Sequence, residues 1–308
     1  MGTYIVRKLA YSVLVLFGVI TVTFSLMYVI PGDPARLMLG QRADVASIDA
    51  IRKQLGLDDP LYVQYGRFIA KAVQGDLGRS YSSNRDVLKT IIEKFPATAL
   101  LAVSALILST LIGVLIGVIS AVKPYSFKDN ASMLFALIGI SFPTFAFGLI
   151  MALVFGSILK WFPISGYVNS GIIYLVLPMV TLALRPLSII ARLTRSSMLD
   201  VLNQDYVRTA RAKGVPEWKV IIRHALRNAL NPVVTTISAY LASLLGGAFF
   251  IEYIFNWPGI GLLAFNSILS LDFPMIQGTI LFAAVIFIII NVLVDIIYAF
   301  LDPKVKLS

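Results

Sequence analysis

Three long apolar stretches without a single charged residue constrain this chain more than any other feature. They are Leu9–Ile30, Thr98–Val122 and Ala131–Leu159. A helix needs about 20 apolar residues to cross the hydrocarbon core of a bilayer. Inside lipid, only helices and closed barrels satisfy every backbone hydrogen bond. We therefore predict an all-α, polytopic membrane protein.

Three further stretches bring the predicted number of transmembrane helices to six: Ile172–Ala191, Pro232–Ile251 and Met275–Val294. The first is the weakest. Pro178 and Pro186 are expected to interrupt its helix, because proline lacks the backbone N–H, and Arg185 adds a charge near its inner end. Gly113 and Gly117 leave room for a close helix contact, which we expect within this chain rather than at a subunit interface.

The composition excludes several classes of function. Only 14% of the 308 residues are charged, against about 25% in soluble domains. There is no cysteine, so a disulfide or a thiolate metal site cannot form. The single histidine, His224, argues against a histidine-based metal site within this chain. The net charge of +10 does not indicate nucleic-acid binding, because the basic residues collect in the loops between apolar stretches.

The distribution of lysine and arginine predicts the orientation in the membrane, because these residues concentrate on the cytoplasmic side. Nine basic residues lie between Arg185 and Arg227, whereas the short segments 160–171 and 252–274 hold only Lys160. The N and C termini are therefore predicted to be cytoplasmic, and the segment 31–97 to lie outside.

The predicted outer segment carries its own helical pattern. Apolar residues recur at helical spacing in Ile48–Leu55 and Leu61–Val73, and Asp58-Asp59-Pro60 separates the two. A small helical cap is expected, either as a spacer or as a docking surface. Further along the chain, Glu252 and Asp272 lie at predicted outer ends of spans and are expected to face water.

A basic helical hairpin is predicted at Asp205–His224. Gly214 and Pro216 mark a turn between two helices, because glycine ends helices and proline suits a first turn. In the second helix, one apolar stripe is expected, with a basic row beside it. The stripe is Trp218, Ile221, Ile222, Ala225 and Leu226, and the row is Lys219, Arg223 and Arg227. Asp205 is placed to pair with Arg208 or Thr209 one turn on.

Two interpretations of this hairpin remain open from its pattern alone. An amphipathic basic helix can rest on anionic lipid. It can also fit a groove on a soluble partner, and a rigid helix pair joined to two spans would transmit a push between them.

Pro143 is expected to kink the stretch Ala131–Leu159. Ser141 and Thr144 beside it can satisfy the backbone groups that a kink frees. A packing kink and a role in lining or gating a pathway both remain open.

Several ordered motifs resemble the permease subunits of bacterial and archaeal ABC importers, in the dipeptide/oligopeptide/nickel branch. The resemblance covers nearly the whole chain. Its motifs are Pro31-Gly32-Asp33-Pro34, Gly75-Asp76-Leu77-Gly78-Arg79-Ser80, Arg195-Ser196-Ser197-Met198-Leu199, Asp205–Gly214, His224–Leu230, Glu252–Gly261 and Asp302-Pro303-Lys304. The chain departs from the general Glu-Ala-Ala-x-x-x-Gly pattern of importers. Arg208-Thr209-Ala210 stands in the first three places, and only Ala210 and Gly214 agree, so Asp205 is the substitute acid.

The resemblance implies a type I ABC importer permease fold with four parts. A first transmembrane helix spans 1–30, an extracytoplasmic helical segment spans 31–97, and a cytoplasmic tail spans 302–308. Between them, a five-helix permease core spans 98–301 and carries a cytoplasmic coupling loop at about 196–230. The residues implied to couple to the ATPase are Asp205, Tyr206, Arg208, Ala210, Arg211, Gly214, Pro216, Trp218 and His224.

The resemblance also implies partners. They are a second homologous permease subunit, two ATP-binding cassette subunits and an extracytoplasmic substrate-binding protein, in a prokaryotic cytoplasmic membrane with its lipid. The chain lacks a Gly-x-x-x-x-Gly-Lys phosphate loop, so ATP and Mg²⁺ are expected on the partner subunits, and no cofactor, metal or catalytic residue on this chain.

The implied cargo is a di- or oligopeptide, with nickel chelates, glutathione and oligosaccharides as alternatives. A secondary transporter is disfavoured, because it usually requires ionisable groups at mid-membrane and an internal repeat. A membrane enzyme would require clustered acids, bases or metal ligands at one membrane face, which the sequence does not contain. A membrane scaffold that transports nothing is the remaining alternative.

Overall fold

The computed structural model describes residues 2–29, 35–36 and 44–301. Helices make up most of these residues, and none of them lies in a β-strand apart from one isolated bridge between Arg79 and Asp86. The predicted all-α fold class is confirmed. The motifs at 31–34 and 302–304 lie outside the described residues.

Twelve α-helices are labelled here in chain order. They are α1 (Gly2–Val29), α2 (Val45–Leu55), α3 (Leu61–Val73), α4 (Val87–Val122), α5 (Phe127–Ser141), α6 (Thr144–Met151), α7 (Val176–Leu202), α8 (Asp205–Ala212), α9 (Arg227–Leu245), α10 (Phe249–Ile254), α11 (Ile260–Leu269) and α12 (Phe273–Leu301). A π-helical stretch, Ala152–Ile158, continues α6. A single α-turn, Glu217–Lys219, and a second π-helical stretch, Val220–Leu226, lead into α9.

The chain forms two compact units, residues 1–98 with 258–308 and residues 99–257. In the first unit, α1 packs along α12, and α11 packs on α12. Val87, Ile91, Ile260 and Met275 form its buried apolar cluster. In the second unit, α7 packs against α5, α6 and α9.

Four helices among the described residues are long and apolar enough to cross a membrane: Ala10–Val29, Val87–Val122, Ile172–Leu202 and Phe273–Val294. The pair Phe127–Ser141 and Thr144–Ile158 adds a fifth if it forms one span, although its two halves are bent by 104°. Multiple apolar helices are therefore confirmed, and the number six stays a prediction.

The predicted span Pro232–Ile251 is not one helix. α9 ends at Leu245 and α10 begins at Phe249. Between them Gly247 has a φ of 112°, which only glycine adopts without strain. The apolar run continues through this break, so hydrophobicity alone did not reveal it.

The effects of three prolines on their helices differ from the prediction. α7 is continuous through Pro178 and Pro186, because Pro178 lies in the first turn, where N–H groups have no acceptor within the helix. Pro186 is buried inside the helix, as are Ala183 and Leu187 beside it, and this packing holds the helix together. Pro143, in contrast, lies at a break between α5 and α6 rather than at a kink in one helix.

The predicted close contact at Gly113 and Gly117 lies within the second unit, between α4 and α7. A Cβ atom at Gly117 would lie 2.5 Å from Thr194 Cβ and 2.7 Å from the Ala191 carbonyl oxygen. One at Gly113 would lie 2.8 Å from the Leu187 carbonyl oxygen. Any side chain at these positions would separate the two helices.

Gly117→Ala is therefore expected to lower the stability of the protein by about 1–3 kcal/mol, the usual cost of overpacking a close contact. Thermal unfolding in detergent measures the change. Gly18→Ala is the matched control, because nothing lies within 4 Å of a Cβ atom there. Equal melting temperatures for the two variants would contradict the packing argument.

Candidate functional site

A tight turn joins α8 to the helical turn Glu217–Lys219, and this hairpin is called the elbow here. Its backbone is fixed by hydrogen bonds from Gly214 N to Arg211 O at 3.0 Å and from Val215 N to Ala210 O at 3.2 Å. Gly214 has a φ of 73°, in the left-handed region that favours glycine. Pro216 caps the next turn. The predicted turn at Gly214 and Pro216 is therefore confirmed.

An ion pair crosses this elbow and joins its two arms. Arg211 Nη2 donates to Glu217 Oε1 at 2.8 Å, and Arg211 Nε lies 3.2 Å from Glu217 Oε2. This hydrogen bonding lowers the pKa of the Glu217 carboxyl and raises the pKa of Arg211. The two side chains lie six residues apart, across the turn, so no helical spacing rule revealed the pair.

Buried residues hold the elbow against the ends of α4 and α7. Val207, Ala210 and Val220 form one cluster, against which Val201 and Leu202 of α7 pack. A second cluster is made of Ala121, Met198, Ala225 and Ala229. The hairpin is therefore an extension of the helical core of its unit rather than a loose loop.

The predicted apolar stripe of the second arm is partly buried and partly exposed. Ala225 is buried, and Ile221 and Leu226 pack beside it, whereas Trp218 is 62% exposed and Ile222 is 57% exposed. Trp218, Ile221 and Ile222 line one groove with the end of α4. The stretch Val220–Leu226 is π-helical and repeats at i→i+5, so Val220 and Ala225 share the buried face.

The remaining coupling candidates are divided between the two faces of the hairpin. The Asp205 and Arg208 side chains are 99% and 70% exposed, with 3.8 Å between Oδ1 and Nη1. Tyr206 is exposed, and its hydroxyl accepts a hydrogen bond from Asn228 Nδ2 at 2.8 Å. His224 is half-buried, and Ala210 is buried as part of the elbow's core.

A buried ion pair ties the first turn of α5 to α7. Arg195 donates to Asp129 from Nε at 2.6 Å and from Nη2 at 2.7 Å. The Asp129 side chain is 1% exposed, and its Oδ2 also accepts from Tyr125 N at 2.8 Å. The residues are 66 positions apart in sequence, so only the fold reveals the pair.

Asp272 is buried, contrary to the prediction that it faces water. Its carboxylate accepts hydrogen bonds from the Ser80 and Ser82 hydroxyls at 2.5 and 2.8 Å and from Tyr81 N at 3.0 Å. Burial, and secondarily this carboxylate, raise the pKa of Tyr81 to about 12. Glu252 is also fully buried. Asp272 therefore fixes the loop after α3 against the turn before α12.

Asp272→Asn is expected to lower stability by about 1–3 kcal/mol, because the amide cannot accept from all these donors and leaves buried groups unsatisfied. Limited proteolysis is expected to cut the loop 80–83 faster. Asp58→Asn, an exposed acid of the same outer segment, is the control. Unchanged melting and proteolysis in the Asp272 variant would count against this role.

The pathway candidates lie at the break between α5 and α6. Pro143 and Thr144 line a cavity of about 440 Å³, whereas Ser141 lies outside its lining. Among the described residues, no group of three or more His, Cys, Asp or Glu side chains gathers as a metal site would require.

Comparison with known proteins places this architecture in a family. Residues 113–307 match the family described as binding-protein-dependent transport system inner membrane component, and residues 1–102 match its N-terminal counterpart. The glutathione transport system permease protein of Escherichia coli strain K12 is 42% identical over 306 residues, with 99% of each chain covered. Its counterparts in Escherichia coli O6:H1 strain CFT073 and Shigella flexneri serotype 5b show the same identity and coverage.

These matches span both units of the chain. They assign it to the membrane-embedded, non-catalytic part of a bacterial transporter, in agreement with its apolar helices. The chain belongs to the binding-protein-dependent transport system inner membrane components, as a multi-pass inner-membrane permease of the peptide/nickel branch of ABC importers.

Proposed function

We propose that this permease forms half of a translocation pathway and couples ATPase motion to alternating access through the hairpin of α8 and Glu217–Leu226. A second homologous permease forms the other half of the pathway. Two ATP-binding cassette subunits bind the hairpins of the two permeases, and an extracytoplasmic binding protein delivers the cargo. The chain crosses the membrane six times, with both termini cytoplasmic and 31–97 outside. ATP and Mg²⁺ act on the cassette subunits.

The elbow itself carries this proposal. It has a buried side that continues the core of α4 and α7 and an exposed side with Asp205, Arg208 and Trp218. Its two arms are joined by the Arg211–Glu217 ion pair. A force applied to the exposed side would reach the membrane helices without being lost in a flexible loop. Residues 196–230 therefore act as the coupling loop.

We propose a short peptide as the cargo. The relatives are named for transport of glutathione, which is a modified tripeptide, so glutathione is the first specific candidate. A nickel chelate or an oligosaccharide is the alternative for the same machinery.

Uptake of radiolabelled glutathione and of a labelled tripeptide by cells tests the proposal. Uptake is expected to require this chain and to disappear when the partner ATPase carries an inactive phosphate loop. Affinity purification through a tag on this chain is expected to recover the second permease and the ATPase subunits. Uptake that persists without the ATPase but collapses when the proton gradient is dissipated would instead indicate a secondary transporter.

A further inference from the structure

The cavity of about 440 Å³ in the second unit is bordered by two interruptions of helical structure. One side is the turn Pro143–Phe145 at the start of α6, and the other is the segment Gly247–Ile251 around the break before α10. Leu182 and Arg185 of α7 complete the lining. Phe145 and Phe250 lie at this cavity with ring centroids 6.0 Å apart.

Both breaks fall inside stretches that the sequence predicts to span the membrane, Ala131–Leu159 and Pro232–Ile251, so they require an explanation. Non-helical backbone is tolerated inside a membrane only where protein buries it or where it lines a water-filled cavity. Both breaks line the same cavity. In secondary transporters, discontinuous helices supply cargo sites because their free backbone groups are available to a ligand, and the same physical reason applies to the breaks at this cavity.

Arg185 is the charged residue of this lining. It lies inside the candidate span Ile172–Leu202, before the coupling loop proposed at 196–230, and its side chain is exposed rather than packed. Within the described part of the chain, Arg185 has no ion-pair partner. A charge inside a membrane span is costly and usually marks a substrate or ion path.

We infer that Arg185 contacts the carboxylate of the cargo as it passes through this cavity. The planar guanidinium offers two parallel N–H donors that match a carboxylate, and the aromatic and aliphatic lining suits the apolar part of a peptide. The inference rests on the proposed import of peptides and narrows it to cargo with a free carboxylate. It makes Arg185 a specificity-determining residue of the pathway, distinct from the coupling hairpin.

The test compares two cargoes that differ only in this group, a labelled tripeptide with a free C-terminal carboxylate and the same tripeptide amidated. The intact transporter, purified with its partners, is reconstituted in vesicles, and both cargoes are supplied at concentrations that saturate the binding protein. The native protein is expected to import the acid at least about tenfold faster than the amide, because the amide cannot form the charge-assisted pair with Arg185.

Arg185→Gln is expected to remove most of this preference by slowing import of the acid, and Arg185→Lys to keep part of it. Arg192→Gln removes an exposed arginine of the same helix outside the cavity and is expected to keep the native ratio. An Arg185→Gln variant with the native acid-to-amide ratio would overturn the inference, as would a native protein without preference. A failure of the proposed function would look different. The native transporter would then import neither cargo in an ATPase-dependent way.

Discussion

Replacing Gly214 with proline is expected to abolish ATP-driven uptake while the transporter still assembles. Gly214 has a φ of 73°, whereas proline fixes φ near −65°. The substitution also removes the N–H that donates to Arg211 O. The turn must therefore rearrange, and the arms that the Arg211–Glu217 pair joins change their relative direction. A misalignment that costs only about 1.4 kcal/mol already changes an equilibrium tenfold, so a loss of uptake of about tenfold or more is expected.

The control at the same position is Gly214→Asn. Asparagine tolerates the left-handed region better than other residues with a side chain, and no atom lies within 4 Å of a Cβ atom at this position. Near-native uptake is therefore expected for asparagine. Co-purification of the partner subunits separates lost coupling from lost assembly, and ATP hydrolysis measured alongside is expected to continue without cargo movement. Normal uptake by an assembled Gly214→Pro transporter would contradict coupling through the elbow.

The sequence was informative where local rules decide the structure. Apolar run length located α1, α4 and α12, and helical spacing located α2 and α3 in the outer segment. Glycine followed by proline located the elbow, because the left-handed conformation and the first turn of a helix each select one residue type. These patterns depend only on residues close together in the sequence, so they can be recognised before the fold is known.

Features that depend on distant contacts were missed. Asp272 was expected to face water, but the hydroxyls that bury it come from the loop at Ser80, 192 residues earlier. The π-helical stretch Val220–Leu226 leaves no mark in the apolar pattern, so the sequence does not reveal it. The break at Gly247 lies inside an uninterrupted apolar run, where hydrophobicity carries no information about backbone direction. The sequence places Arg185 near the end of a span and carries no sign of the cavity that Arg185 lines.

The largest loss of stability is expected from Asp129→Asn. The aspartate is almost completely buried and is the acceptor for two Arg195 nitrogens and for Tyr125 N. Asparagine at this position would present either a neutral oxygen or an N–H₂ donor to the Arg195 guanidinium. That guanidinium is only 21% exposed, so water replaces the lost carboxylate poorly. Removing one member of a fully buried pair usually costs about 3–5 kcal/mol, and because Arg195 keeps 21% of its exposure we expect the low end of this range.

Thermal unfolding of the purified protein in detergent measures this loss, and two further variants decide its origin. Asp129→Asn combined with Arg195→Met removes both charges, so it is expected to be more stable than Asp129→Asn alone. Arg211→Gln breaks the pair with Glu217, whose partners are 41% and 55% exposed, and is expected to cost no more than about 1 kcal/mol. If the double variant were as unstable as the single one, the cost would come from lost packing rather than from an unpaired charge. The start of α5 would then be held to α7 by packing alone.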